Sequence, residues 1–335
     1  MIRYLARRLA GGVVVLFASS IVTFLIFQVG PRAANVSPAL YYVGKIPPSE
    51  AGLQAIDHRF GFDLPIWRQY LHWLGGILFG QTLDDGSGDV VHCSAPCLGY
   101  SFRQHLPVTR MIADALPIEL SIAVGAAVLW LLVGVTVGSL AALTRGSIFD
   151  RAATATTLAA LSLPIFVTGP VLLLVFKYKL GWLPNTDYAP LTSDPLQWFK
   201  SMVLAWIVLA LLFAALYARL TRANLIETMS EDYIRTARAK GLSRRRVVLR
   251  HGLRAALTPI VTIFGLDIGQ LIGSAVITET VFNLHGLGLM SIQAIQSRDL
   301  PVIMGVTIVA TVVIVVANIL VDVCYCFIDP RVSYR

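Results

Sequence analysis

Two cysteines separated by three residues, Cys93 and Cys97, are the pair best suited to covalent chemistry in this sequence, and His92 precedes them. Such a pair forms a disulfide in an oxidising compartment, stays as free thiols in a reducing one, or supplies half of a metal site. No second pair of ligands follows to complete a metal site. We therefore predict a disulfide, keep free thiols and a metal site as alternatives, and assign no metal ligand.

Three acidic residues stand within or beside long apolar stretches: Asp267, Glu279 and Asp322. An ionisable side chain inside a bilayer is costly and is usually retained for function. Asp267 either faces a translocation path, where it could attract a cationic group, or is a protonated or hydrogen-bonded packing residue. Asp322 fits a bond to a neighbouring helix better. Glu279 is expected at the outer end of a span, where it could anchor a gate, so Asp267 and Glu279 are the candidates for a path.

The sequence carries no signature of nucleotide hydrolysis. The pattern Gly-x-x-x-x-Gly-Lys-Ser/Thr does not occur, and the one Gly-Lys pair, Gly44-Lys45, is followed by Ile46. Energy for any transport must then come from a separate ATPase or from an ion gradient. We predict no catalytic residue and no cofactor in this chain.

The elements that position these residues are membrane helices. Apolar residues make up 56% of the chain and charged residues only 14%, with a mean hydropathy of +0.72. A helix needs about 20 apolar residues to cross a bilayer core of about 30 Å. Six charge-poor windows approach or exceed this length: 9–29, 120–144, 152–176, 201–218, 255–278 and 300–328. The sequence therefore predicts an all-α integral membrane protein with six transmembrane helices.

The distribution of lysine and arginine predicts the orientation of these helices. Six spans place segments 1–8, 145–151, 219–254 and 329–335 on one side, where 58 residues hold 17 of the 27 basic residues. The remaining 135 loop residues hold 10. The first side is therefore cytoplasmic, with both termini. Because this bias accounts for the net charge of +8, we expect no nucleic-acid partner.

The first external segment, 30–115, is too long for a simple connector and predicts an extracytoplasmic loop domain. Apolar and aromatic residues at partly helical spacing in its first half predict a small helical cap. Gly, Asp, Ser and Cys dominate 81–99, which predicts an irregular excursion.

Residues 228–253 predict two short helices that meet at a glycine. Thr228 and Glu231 have the spacing of a capping box. Gly241 is well placed as a left-handed C-cap of the first helix, and Ser243 can cap the second. This basic elbow either lies on anionic lipid or docks a cytoplasmic partner, and its rigid corner favours docking.

The string Tyr233-Ile-Arg-Thr-Ala-Arg-Ala-Lys-Gly241-Leu242 resembles the cytoplasmic loop of the permease subunits of ABC importers, in the form typical of the dipeptide and oligopeptide (Dpp/Opp B-type) group. Further segments resemble the same group in chain order: 3–9, 161–169, 278–288 and 321–331. The likeness covers nearly the whole chain and is strongest from about Leu116 onward.

The resemblance implies a type I importer fold, with the first helix in 1–29, a permease core over 116–326 and a cytoplasmic tail over 327–335. It implies an ATPase-coupling site on these residues: Arg235, Thr236, Ala237, Arg238, Lys240 and Gly241. The implied partners are a second homologous permease, two ATPases that bind ATP and Mg²⁺, and an extracytoplasmic substrate-binding protein. The implied location is the inner or plasma membrane of a bacterium or archaeon.

Peptides are the substrate that the resemblance favours, and relatives with similar permeases carry glutathione, nickel chelates, opines or haem. A proton-coupled carrier with Asp267 and Asp322 as relay groups is the rival from another class. Such carriers usually show inverted repeats and broken helices in matching halves. The sequence shows neither.

Overall fold

The computed structural model describes residues 2–33, 36–37, 40, 57–58, 61–84, 90–183 and 188–328, and it is mainly helical. The helices of eight or more residues are α1 Ile2–Phe24, α2 Ile66–Phe79, α3 Val108–Leu143, α4 Ile148–Ser162, α5 Ile165–Leu173, α6 Pro195–Ser230, α7 Asp232–Ala239, α8 Arg254–Phe282, α9 Leu287–Ser297 and α10 Leu300–Ile328. Two shorter helices are Gly30–Ala33 and Arg244–Arg246. π-helical segments continue α1 and α5 and precede α8: Leu25–Val29, Leu174–Lys179 and Val247–Leu253.

Within the described residues, five helical segments are long and apolar enough to cross a membrane, and two bent helix pairs could raise the number to seven. The five are Ala6–Arg32, Val108–Leu143, Pro195–Ser230, Arg244–Gly269 and Leu300–Val323. Each overlaps one of the six windows predicted from the sequence. The remaining window, 152–176, is not one straight helix, because α4 and α5 meet at an angle of 101°. Leu163 and Pro164 lie extended between them, and a residue before proline disfavours the helical conformation.

The chain divides into two compact units. The first, here the core unit, comprises 119–284 and the described residues from 317, and the second, here the loop unit, comprises 2–118 and 285–316. In the core unit α6 packs against both α4 and α8. Gly138 of α3 approaches α6 so closely that a Cβ there would collide with the carbonyl oxygen of Ala218. A small residue at such a contact lets two membrane helices pack backbone to backbone.

The loop unit contains α2 and two short antiparallel strand pairs. The strands are β1 Gln81–Asp84, β2 Val90–Cys93, β3 Tyr100–Ser101 and β4 Leu106–Pro107, with β1 paired to β2 and β3 to β4. The predicted helix in the cap is confirmed at α2, whereas residues 41–56 and 59–60 of that cap lie outside the described residues. The prediction of an irregular excursion over 81–99 is wrong for β1 and β2, because backbone pairing organises a segment whose composition favours turns.

A disulfide, a hydrogen bond and apolar packing fix the segment after β2 within the loop unit. A disulfide joins Cys93 to Cys97, whose Cα atoms are 5.5 Å apart. Ser101 donates a hydrogen bond to the buried carboxylate of Asp299. The segment also contributes Leu98 to a cluster of buried apolar side chains, which consists of Leu98, Val108, Met111, Ile112, Ala115, Leu287, Ala294, Val302 and Val306. Secondary structure, packing and the disulfide therefore hold this segment in one conformation.

Candidate coupling site

The elbow predicted over 228–253 begins where α6 ends. Glu231 is extended, with φ −65° and ψ 150°, and separates α6 from α7. The predicted capping box is wrong, because α6 continues through Thr228 to Ser230 and the Glu231 side chain makes no cap hydrogen bond. The apolar helix that crosses the core unit therefore runs directly into the corner.

The end of α7 confirms the predicted left-handed glycine. Gly241 has φ +76°, and its N–H donates to the carbonyl of Arg238 at 2.9 Å. The N–H of Leu242 donates to the carbonyl of Ala237 at 3.4 Å. These two bonds make a Schellman motif, which satisfies the last carbonyls of a helix when the following residue is left-handed.

One face of α7 anchors the elbow. Ile234 is fully buried, and it packs with Ala237 and with Val247 from the next segment. Met229 at the end of α6 and Leu242 after the glycine pack against the same cluster. Of the six predicted coupling residues, Ala237 therefore faces inward and holds the helix in place.

The other five predicted coupling residues lie on the exposed side of α7 or directly after its end. Arg235, Thr236, Arg238, Lys240 and Gly241 are all exposed. Arg235 forms an exposed ion pair with Asp232 at 3.4 Å. Such a pair contributes little to stability. The surface therefore offers cationic side chains on a rigid support, which is suited to binding an acidic surface.

The second helix of the elbow is not a separate element. After Ser243 a turn over Arg244–Arg246 passes into the π-helical segment Val247–Leu253, which continues into α8. Arg244–Gly269 is thus one helix long enough to span a membrane. A displacement of the elbow would act directly on this helix.

The predicted path residues are buried in the core unit. Asp267 is 9% exposed, and its Oδ2 accepts a hydrogen bond from the Tyr217 hydroxyl at 2.8 Å. Glu279 is fully buried near the end of α8, and its place at the outer end of a span stays a prediction. Asp322 is partly buried on α10. The described parts of the chain contain no group of three or more His, Cys, Asp or Glu residues that could hold a metal.

Sequence reasoning missed one pair in the core unit, Asp150 of α4 and Arg222 of α6. The Asp150 carboxylate accepts from Arg222 Nε at 2.6 Å and from Nη2 at 2.9 Å. Ser147 caps α4 by accepting from the Asp150 N–H at 3.2 Å. Serine followed three residues later by an acid is a known helix-start pattern, so 147–150 could have indicated the start of α4 but not the partner of Asp150.

Two known protein families together match nearly the whole chain. Residues 134–334 match the family described as the binding-protein-dependent transport system inner membrane component, and residues 1–123 match the corresponding N-terminal family. The chain belongs to this family of inner membrane components. It is therefore a membrane protein of a binding-protein-dependent transport system.

Relatives of this inner membrane component match it over the full length. A Brucella abortus (strain 2308) protein named for a peptide transport system permease is 34% identical over 334 residues, with 100% of both chains covered. The dipeptide transport system permease protein DppB of Escherichia coli K12 is 33% identical over 358 residues, again covering both chains completely.

A solved structure shares the fold. A chain of the MetNI methionine ABC transporter, in an inward-facing conformation, superposes with a TM-score of 0.51 at 16% identity. The match covers 66% of this inner membrane component and 97% of the MetNI chain. The matched two thirds of the chain thus have the fold of an ABC transporter permease.

Proposed function

We propose that this chain is one permease subunit of an ATP-driven importer of peptides. The full-length likeness to relatives named as permeases of peptide and dipeptide transport systems carries the proposal. Because no part of the sequence holds a nucleotide-binding signature, two separate ATPases would bind ATP and Mg²⁺. A second homologous permease and an extracytoplasmic binding protein complete the proposed assembly.

The proposed topology has six spans, with the bent pair α4–α5 as the third. Both termini and the elbow lie in the cytoplasm, and residues 30–115 form an extracytoplasmic domain. The concentration of 17 basic residues in the four cytoplasmic segments supports this orientation.

The proposed mechanism works through the elbow. Arg235, Arg238 and Lys240 contact the ATPases, and closure of the ATPases on ATP pushes α7. Since Ile234 and Val247 pack together, the displacement passes to α6 and to the helix that begins at Arg244. The bundle then switches between outward- and inward-facing arrangements as packed rigid bodies.

Asp267 and Glu279 remain candidates for the translocation path. Both side chains are buried in the present arrangement, so a solute reaches them only when helices separate. The bond from Tyr217 to Asp267 supports the alternative role in packing.

The test begins with affinity purification of the tagged chain from its native membranes and identification of the proteins that accompany it. We expect a second permease and an ATPase. Proteoliposomes that contain this complex and the binding protein should accumulate a labelled peptide when ATP is enclosed. Vanadate should block uptake and a protonophore should not. The reverse pattern would favour the proton-coupled carrier, and competition by glutathione, a nickel chelate, an opine or haem would reassign the substrate.

A further inference from the structure

Helix α4 packs against α6 but buries only one of its side chains. Asp150 is the only buried residue of α4 and is 4% exposed. Its carboxylate forms the two short bonds to Arg222 described above and also accepts from the Gly146 N–H at 2.9 Å. A paired arginine and carboxylate hold each other in a fixed relative orientation, which a single hydrogen bond does not do.

Beside this pair, a groove separates part of α4 from α3 and α6. A cavity of about 370 Å³ lies between α3, α4 and α6. Its lining is mainly small and apolar: Gly138 and Ala141 from α3, Ala153 and Thr157 from α4, and Ala218 from α6. The groove leaves room for the spacing of these helices to change, whereas the ion pair joins α4 directly to α6.

Arg222 lies on the part of α6 that leads into the elbow. It is eight residues before Ser230, where α6 ends. Asn224 Nδ2 donates to the carbonyl of Ala256 of α8 at 3.4 Å, and Met229 packs on the elbow cluster. This last part of α6 thus contacts α8, the elbow and, through Arg222, α4.

We infer that the Asp150–Arg222 ion pair is a positioning element of the transport cycle, which makes α4 follow α6 when the elbow is displaced. Through α4 the movement reaches α5, the other arm of the bent pair. The inference rests on the proposed function, because it assigns the coupling of the elbow to a third element. Neither residue contacts the ATPase or the substrate in this mechanism.

The test compares the complete reconstituted importer with a variant that loses the charges and keeps polar groups at both positions, Asp150→Asn/Arg222→Gln. Removing both charges leaves no unpaired buried charge, so the folded protein should assemble normally. We expect it to hydrolyse ATP but to import fewer peptides per ATP, by about threefold or more, the order by which mutations in coupling networks change coupling. Asp194→Asn is the matched control at the other end of α6, where Asn also caps a helix.

A distance measurement separates positioning from a purely structural role. Spin labels at Ile148 and Glu227, both exposed, report the spacing of α4 and α6. In the wild type the distance should be the same in nucleotide-free and vanadate-trapped complexes. In the double variant it should differ between the two states. Arg222→Lys keeps the charge but cannot form both hydrogen bonds of the guanidinium. It should show the same change in label distance, but a smaller one, and it provides the test if the double variant fails to insert.

Unchanged peptide import per ATP and unchanged label distances in an assembled variant would overturn the inference. An equal loss in Asp194→Asn would do so as well, since the effect would then not depend on the pair. If the wild-type chain neither recruits an ATPase nor imports peptides, the proposed function fails before the variants are compared.

Discussion

At the scale of single residues, the same backbone device ends two helices of the core unit. Gly241 after α7 and Asn283 after α8 are left-handed, with φ of +76° and +52°. Asn is one of the few side chains other than glycine that enters this region readily. At Gly241 nothing lies within 4 Å of where a Cβ would stand. Position 241 therefore requires glycine for its backbone conformation and not because space is short. A substitution there tests the conformation alone.

Gly241→Val should strain the end of α7 by at least about 1 kcal/mol, because a β-branched residue disfavours positive φ. The strain should tilt α7, so we expect lower peptide import and ATP hydrolysis that no longer depends on substrate, with the protein still inserted. Gly241→Asn is the control and should retain most of the import. Both activities are measured in proteoliposomes. Normal import by Gly241→Val with its ATPases attached would show that the elbow does not transmit the movement.

Asp299, at the start of α10, allows a prediction about pH. Burial raises the pKa of its carboxyl above the ordinary 3.8, against smaller opposite effects of Ser101, the Val302 N–H and Arg103. The folded protein thus keeps this proton to higher pH than the unfolded chain. The resulting stability is complete below the unfolded pKa and is lost as pH rises through the folded pKa.

Asp299→Asn keeps an acceptor for Ser101 and removes the titration. Relative to wild type, its melting temperature should therefore rise as the pH is raised from about 4 to 7. Thermal unfolding of the detergent-purified protein across that range measures the difference. A constant difference between the two proteins at every pH would contradict the expected burial of a titrating carboxyl.

At the scale of elements, α7 owes its position to packing. A helix of eight residues is not stable alone in water. Ile234 and Ala237 join it to Val247 and Met229, so the cationic face is held at a fixed angle to α6. A helix that merely lay on lipid would gain nothing from this anchoring. The geometry favours a docked protein partner over a lipid surface.

Arg238→Glu should weaken co-purification with the ATPase and lower peptide import, because it reverses charge at the proposed contact while leaving Gly241 and the buried cluster intact. Arg246→Glu is the matched control, since Arg246 is also exposed and basic but lies beyond the glycine. The measurement is the ratio of ATPase to permease in the purified complex. If the elbow instead lies on lipid, both variants should lose peptide import to the same extent, because each changes one basic residue. That result would argue against docking.

The elements of this chain differ in how far the sequence predicts them. The glycine stop at 241 follows from local spacing, because a helix end is decided by a few neighbouring residues. The break in the window 152–176 is different, since Pro164 indicates a helix end but cannot give the 101° bend. The strands at 81–84 and 90–93 were hidden by a composition typical of turns. The Asp150–Arg222 pair joins residues 72 positions apart, and no local pattern predicts such a contact.

At the scale of the whole molecule, other parts of the chain leave many large apolar side chains uncovered. Leu266 of α8 is 71% exposed and Phe166 of α5 is 63% exposed. Apolar patches of this kind on a soluble monomer would be a liability. They are expected where bilayer lipid and a second permease cover the helices, so the fold is completed by its surroundings. The direction in which the chain is inserted then decides which partners can reach the elbow.

Single cysteines test that direction. Ser193, just before α6, is predicted outside, and Ser243, in the elbow, is predicted in the cytoplasm; both are exposed. In intact cells, and in a background whose native cysteines are replaced, an impermeant maleimide should label Ser193→Cys and not Ser243→Cys. Permeabilising the membrane should make Ser243→Cys reactive, which controls for local access. Labelling of Ser243→Cys from outside would reverse the orientation. The elbow would then face away from any cytoplasmic ATPase, and the coupling mechanism would fail with it.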